Sequence, residues 1–467
     1  MVTIQETELI EKGLAAINRA KQLGRAVLLS EVHRVEPLDP LFFFQIGKDK
    51  YFGERFFWKD PLDEIILVGV GIAKQIQSDQ AADRFFHVEK NWKEFLQESI
   101  ISNPFAEDAV GPLMFGGFSF DPYKPKTVLW SKFADSLFHI PKYMLSLIKG
   151  KAYVTTNIVC TQHDDLRLLQ NITNERNQLL ALMQKDLKTE TSTVINTKEI
   201  SPDQWKASVD EIVNDLKADG VLKKVVLARE LRLYFDDAVE AGSVLFRLLN
   251  EQHESFIFAF EANGDCFLGA SPERLVKKQG NDVFSTCLAG SISRGNTVAE
   301  DEAYGNELLN DQKNLIEHHY VVEMIKEALE KSCERVVLPD KPQLMKMRDI
   351  QHLYTPVIGK SKQGISLLHF VESLHPTPAL GGLPKKEAVE KIRQVEQLDR
   401  GFYASPLGWV DYKGNGEFAV SIRSGLIQGK EASLFAGCGV VANSHSESEY
   451  LETGLKFRPM LRALGGN

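Results

Sequence analysis

The chain has 467 residues, a net charge of −9, 43% hydrophobic residues and 25% charged ones. These proportions, with both signs of charge interspersed and no long low-complexity tract, describe a folded globular protein without the broad basic field that nucleic acid or acidic lipid would require. The longest apolar stretch, Ile65–Ala73, is far short of the roughly 20 residues a membrane helix needs.

The acidic, polar start MVTIQETELIEKG lacks the basic and apolar regions of a signal peptide, and length alone suggests about three domains. Through the first 190 residues, short aromatic and β-branched runs alternate with turn residues. YFGERFFWKDPLDEIILVGVG reads as strand, turn, strand in an antiparallel sheet. Its Gly69–Gly71 segment could open a dinucleotide loop, but the third glycine and the following helix are missing, so a strand is the better reading. Gly111–Pro122, GPLMFGGFSFDP, reads as a close-packed strand and turn.

The Thr-rich segment Lys188–Pro202 marks a seam between a β-rich N-terminal half, 1–195, and a second region, 200–465, which together form one intertwined unit. Ser201 then reads as an N-cap with Pro202 at the first helical position. Trp205, Val209, Ile212, Val213 and Leu216 follow at helical spacing, and Gly220 ends the helix. Next comes KKVVLARE, a buried strand with two lysines at its entrance. Side chains alternate along a strand, so Lys224, Val226, Ala228 and Glu230 share one face and Lys223 points to the other. One lysine could serve a pocket, or both could be solvated charges flanking an apolar strand. Further strands (FIFAF, DCFLGA, EFAVSIRSGLI, SLFAGCGVV) are interspersed with long helices. The fold class is therefore α+β, with large antiparallel or mixed sheets flanked by helices.

Several segments carry chemistry-bearing residues, each with a structural reading beside the functional one. SPER, Ser271–Arg274, is either a helix N-cap or the site of a general acid, Glu273, whose pKa burial would have to raise. In the helix Gln312–Lys331, Glu317 lies on an apolar face, which is costly unless a cation or donors meet it. His318 and His319 lack the spacing of a zinc set and read as packing residues. Glu449, Glu452 and Lys456 fall on one face of a C-terminal helix, as a solvated ladder or as part of a Mg²⁺ site with Glu317. Arg423 shares a strand face with Ala419, Ser421 and Gly425, leaving room for a ligand carboxylate above small residues. Ala436–Gly439 and the strand end Cys287–Ser291 contribute glycines that suit close backbone approach or simple turns. His375, in the irregular loop HPTPALGG, reads as structural or substrate-facing. The five cysteines are scattered without a CxxC pair, which points to neither disulfides nor zinc but to a reduced, cytoplasmic compartment.

In this order, KVVLAR, GASPERL, LAGS, EH, HPTPALGG, GWV, FAVSIR, FAGCG and SESEYLETG resemble the chorismate-utilising enzymes, and within them the isochorismate synthase branch. The resemblance is dense from about Ser201 onward and thinner before it, where GGFSFDP, WKDP and GVG still fit; the long N-terminal half is more similar to menaquinone-pathway members. It implies the chorismate-utilising fold, chorismate as substrate and Mg²⁺ as cofactor. Lys224 would be the general base that activates water for attack at C2, and Glu273 the general acid at the departing C4 hydroxyl. Glu317 and Glu452 would bind Mg²⁺, with Glu449 nearby acting through water. Gly290, His375, Arg423, Gly437 and Lys456 would hold the substrate.

Branches that add ammonia carry an uncharged residue where Lys224 stands, so no glutamine amidotransferase subunit is implied as a partner. Ala289 replaces the nucleophilic lysine of the aminodeoxychorismate branch. A salicylate synthase, which would go on to eliminate pyruvate, is the nearest rival, and the HPTPALGG loop disfavours it.

Overall fold

A computed structural model describes residues 4–182, 192–218 and 220–466. Its strands form two facing runs that share the long strand Ser136–Ile148. In the first, hydrogen bonding passes from Val27–Val35 through Lys151–Cys160, Ser136–Ile148, Ile65–Ser78, Arg55–Lys59, Phe256–Ala262, Asp265–Ser271, Ser424–Gln428 and Glu431–Val440 to Lys224–Phe235. In the second it passes from Ser136–Ile148 through Leu113–Phe118, Pro406–Asp411, Gly416–Val420, Arg274–Gln279 and Asp282–Ser293 to Ile350–Ser361. All of these pairings are antiparallel, as the α+β expectation requires; Ile100–Ser102 adds one parallel pairing.

Strand alternation explains why the runs face one another. Phe56, Trp58, Phe258, Phe260 and Phe267 point inward from the first run and meet Phe115 and Phe418 from the second. Phe56 and Phe115 stack with ring centroids 4.4 Å apart, and Phe260 meets Phe115 edge-on at 5.6 Å. The alternate residues Phe57, Ile257, Ala259 and Leu268 point outward and pack under the helices Pro40–Ile46, Ala241–Glu251 and Ser446–Ala463.

Two adjacent chain segments cross from one run to the other at the same level. Asp265–Ser271 continues into Arg274–Gln279, and Gly416–Val420 continues into Ser424–Gln428. The corners are stitched together: Ser271 Oγ donates to the Val420 carbonyl at 2.5 Å, Val420 N to Glu273 O at 3.0 Å, and Ala270 N to Arg423 O at 3.1 Å. Pairing at both corners frees short stretches of backbone from regular strand geometry without leaving buried groups unbonded.

These corners correct three sequence expectations. SPER is a strand-to-strand corner and caps no helix. EFAVSIRSGLI is two strands, broken at Ser421–Arg423, where Arg423 adopts φ +51; the alternation argument for its neighbours therefore fails at that point. Cys287–Ser291 does not end its strand but forms a bulge within Asp282–Ser293, with Gly290 at φ +81.

Other expectations hold, except that Ser201, at φ +48, lacks the extended backbone of an N-cap. Helices run over Pro202–Ala218, Gln312–Ser332 and Ser446–Ala463, and Gly69–Gly71 lies within a strand. Residues 188–191 of the Thr-rich seam lie outside the described residues; its remainder includes the strand Val194–Glu199, paired with the end of the Lys224 strand. All five cysteines are free and buried, and no described helix is long and apolar enough to cross a membrane.

Candidate active site

A cavity of about 330 Å³, within the range of small-molecule sites, opens where the corners meet the helices Gln312–Ser332 and Ser446–Ala463. The structure brings Lys224, Glu273, Gly290, Glu317, Arg423, Gly437, Glu449, Glu452 and Lys456 to its walls. Of the sequence-derived candidates, only His375 is elsewhere. It is buried at the end of the helix Leu367–Leu374, where Nε2 donates to the Phe120 carbonyl at 3.1 Å and the ring packs edge-on against Phe120. Of the same loop, Ala379 and Leu380 reach the cavity wall.

The two lysines of KKVVLARE separate as strand alternation requires. Lys223 is exposed and its Nζ donates to Gly220 O at 2.7 Å, whereas Lys224 is 8% exposed and its Nζ donates to Oε1 of Glu317. Glu230, on the same strand face, does not reach the cavity; it pairs with Arg232 and accepts from Ser433 Oγ. Glu273 follows Ser271 and Pro272 at the corner, and its backbone N–H donates to Ser271 Oγ at 3.2 Å. Burial pushes its carboxyl up to about 8, and the nearby Lys224 charge offsets part of that rise. Glu317 behaves oppositely. Burial opposes its ionisation, but the charge and hydrogen bond of Lys224, with Lys456 and Lys313 further off, hold its carboxyl below the usual range.

The cationic side of the cavity has one feature that suits an anionic ligand. Burial lowers the Arg423 pKa, yet its guanidinium makes no hydrogen bond or ion pair among the described residues. The charges of Asp349 and Glu452 offset part of the cost of burial, and the unbonded planar guanidinium fork is left to take a ligand carboxylate. Lys456 is already engaged, donating to Gly437 O at 2.9 Å and pairing with Glu452 at 2.7 Å.

Three carboxylates from the two helices line the cavity. Glu317 comes from one helix, and Glu449 and Glu452 from the other. Burial and then the charge of Glu452 raise the Glu449 carboxyl, an unfavourable proximity that a divalent cation would relieve. No set of three or more His, Cys, Asp or Glu side chains is arranged to hold a metal among the described residues. The donor chemistry fits Mg²⁺, which binds through one or two carboxylates and takes its other oxygens from water and substrate.

Lys313, His352 and Tyr403 also line the cavity and were not singled out from the sequence. Lys313 lies four residues before Glu317, so helical spacing could have placed it on that face. His352 pairs across the strands with Ser291, whose Oγ lies 3.0 Å from its Nδ1; burial and then the charges of Arg423 and Lys456 push it down to about 3, keeping the ring neutral. His318 packs as expected, donating from Nδ1 to Ala289 O at 3.0 Å. A second cleft of about 400 Å³, lined by Trp205, Leu227, Arg229 and Glu396, lies further along the Lys224 strand. Its charged groups are matched within the protein: Arg229 donates to Thr453 and Glu396 pairs with Arg400.

Comparison with known proteins gives the family and the fold. The family described as "Chorismate binding enzyme" matches residues 15–465. The chain is 42% identical to the isochorismate synthase MenF of Bacillus subtilis strain 168 over 471 residues, spanning 100% of this chain and 99% of that protein. It is 35% identical to the salicylate biosynthesis isochorismate synthase of Pseudomonas aeruginosa, over 97% of this chain and 94% of that one. The structure of the menaquinone-specific isochorismate synthase MenF from Escherichia coli superposes with a TM-score of 0.78 at 23% identity, covering 97% and 99% of the two chains. Anthranilate synthase component I from Streptococcus pneumoniae has the same fold, with a TM-score of 0.70 at 19% identity over 85% and 92% of the chains.

Proposed function

The chain belongs to the chorismate binding enzyme family, and from that premise we propose that it isomerises chorismate to isochorismate. The observation that carries this reading is the pairing of opposite roles in one cavity: Lys224 as a basic side chain, and Glu273 as a carboxyl that burial keeps protonated near neutrality. Full-length identity with an isochorismate synthase supports it.

In the reaction, the oxygen of a water molecule bonds to C2 of the ring, the double bond shifts, and the C4–O bond breaks. Lys224, charged and paired with Glu317 in the structure, would first give up a proton and then take the one lost by the attacking water. Glu273 gives its proton to the departing hydroxyl, which leaves as water. One water enters and one leaves, so the product is an isomer; returning the proton from Lys224 to Glu273 restores both groups. Arg423 holds a substrate carboxylate, which supplies the anion its guanidinium lacks. Lys456 and the backbone at Gly290 and Gly437 border the same space and orient the ring.

Glu317 and Glu452, with Glu449 beside them, would hold Mg²⁺, which when bound neutralises carboxylate charge on the substrate. In the structure these carboxylates meet lysines instead, Glu317 with Lys224 and Glu452 with Lys456.

Purified protein incubated with chorismate and Mg²⁺ should yield isochorismate alone when the products are resolved chromatographically. Salicylate with pyruvate, or an amino product that requires ammonia, overturns the reading. The likeness to MenF over the whole chain favours menaquinone synthesis as the use of the product. Restored menaquinone in a bacterial strain lacking its own menaquinone-specific isochorismate synthase would support that assignment, and lack of restoration by an expressed, active protein would refute it.

A further inference from the structure

The strand Glu431–Val440 lies antiparallel to the Lys224 strand, with Gly439 opposite Val226 and Gly437 opposite Ala228. A Cβ placed on Gly439 would lie 2.5 Å from Lys224 Cε and 3.0 Å from its Nζ. Unstrained carbon contacts fall near 3.5–4.0 Å, so a methyl group there would occupy the volume that the lysine stem now fills. Nothing in the backbone requires glycine at this position: Gly439 is not among the residues of positive φ, and its place in the strand ladder is open to any L-residue. Gly437 differs, because its Cβ would approach backbone, Leu227 O at 3.1 Å. At Gly439 the three nearest atoms all belong to Lys224.

We propose that Gly439 is a positioning residue: its missing side chain forms the slot that directs the Lys224 stem across the strand and delivers its nitrogen to the cavity. Lysine has four rotatable bonds, and a stem laid against a bare strand keeps fewer of its rotamers than one in open space. The inference rests on the reading of Lys224 as the base, and it adds a requirement that the neighbouring strand be bare at one point.

Gly439→Ala displaces the stem by about 1 Å, a misplacement of the size that costs about 100-fold in rate. The expected result is a kcat lowered about 100-fold with KM changed less than about threefold, because Arg423 and Lys456 are untouched. A kcat within about threefold of the parent's, or a loss confined to KM, overturns the proposal.

The contact is tested separately by thermal unfolding of Gly439→Ala, Lys224→Ala and the double variant, since sites in contact are not additive. With the stem removed the three atoms nearest the added methyl are gone, so the double variant should melt with Lys224→Ala. A double variant lowered as much as Gly439→Ala is lowered from the parent places the clash in the backbone and overturns the proposal. If the parent makes no isochorismate, the reaction reading fails while the melting comparison still decides whether Gly439 and Lys224 share this volume.

Discussion

Glu273 shows how one residue couples stability to chemistry. Its folded pKa of about 8 lies above the ordinary carboxylate value of 4.5. Below about 4.5 both folded and unfolded chains carry the proton and the site costs nothing. Between there and about 8 the unfolded carboxyl ionises first, so the native state loses stability as pH rises. Glu273→Gln removes that cost: its melting temperature should exceed the parent's by a margin that grows from pH 5 to pH 8 and then levels, and equal melting temperatures at pH 5 and pH 8 would refute the burial argument. The same substitution should abolish turnover, as should Lys224→Ala, with each variant remaining folded by circular dichroism; full activity in either rules out its role. In the parent, kcat/KM should fall as pH rises through about 8, as the acid of the free enzyme loses its proton. Strand alternation predicted that Lys224 and Lys223 diverge, and they do, although Lys224 opens the strand Lys224–Phe235 and Lys223 lies just before it; the choice of Lys224 for the cavity came from the family resemblance. His352 was not legible, because its place opposite Ser291 depends on register between strands about sixty residues apart in sequence.

At the scale of elements, the cavity depends on how the Lys224 strand is tied to its surroundings. Arg400 and Glu396 are each 2% exposed and paired at 2.7 Å. Arg400 also donates to Val226 O at 2.7 Å and Leu380 O at 3.0 Å, and Glu396 accepts from Ala228 N at 2.7 Å. The pair therefore clamps the HPTPALGG loop to the strand just beyond Lys224. Removing one charge leaves the other buried and uncompensated, so Glu396→Gln should cost about 3–5 kcal/mol, read as a lower urea midpoint. Asp282→Ala, at the half-exposed Lys360–Asp282 pair, should cost less than about 1 kcal/mol; similar losses in both variants would refute the clamp. Helices were legible because an apolar stripe such as Trp205, Val209, Ile212 and Leu216 is a local pattern, and all four are buried. The corners at Ser271–Arg274 and Ser421–Arg423 were not. Alternation assumes an unbroken strand, and each break is stabilised by hydrogen bonds to the other corner, a partner about 150 residues away.

At the scale of the whole molecule, strands from either side of residue 195 interleave. Arg55–Lys59 pairs with Phe256–Ala262, and Leu113–Phe118 with Pro406–Asp411. The inner core repeats that exchange: Trp58 meets Phe256 at 5.2 Å and Phe115 meets Phe260 at 5.6 Å. Residues 192–466 expressed alone would expose two long strand edges, together with the aromatic faces that Phe56, Trp58 and Phe115 cover, a surface that invites aggregation. The lone fragment should therefore be insoluble or unfolded although it carries every residue assigned to the cavity. In the full chain, loss of either half's packing removes the other's sheet partners, so unfolding in denaturant should be one transition. Tryptophan fluorescence from Trp58, Trp92 and Trp130 in the first half and Trp205 and Trp409 in the second should shift together, at the denaturant concentration where activity disappears. A folded, soluble 192–466 fragment, or activity lost in a transition separate from the fluorescence change, would show that the halves are stable independently and that the cavity does not need the shared sheet.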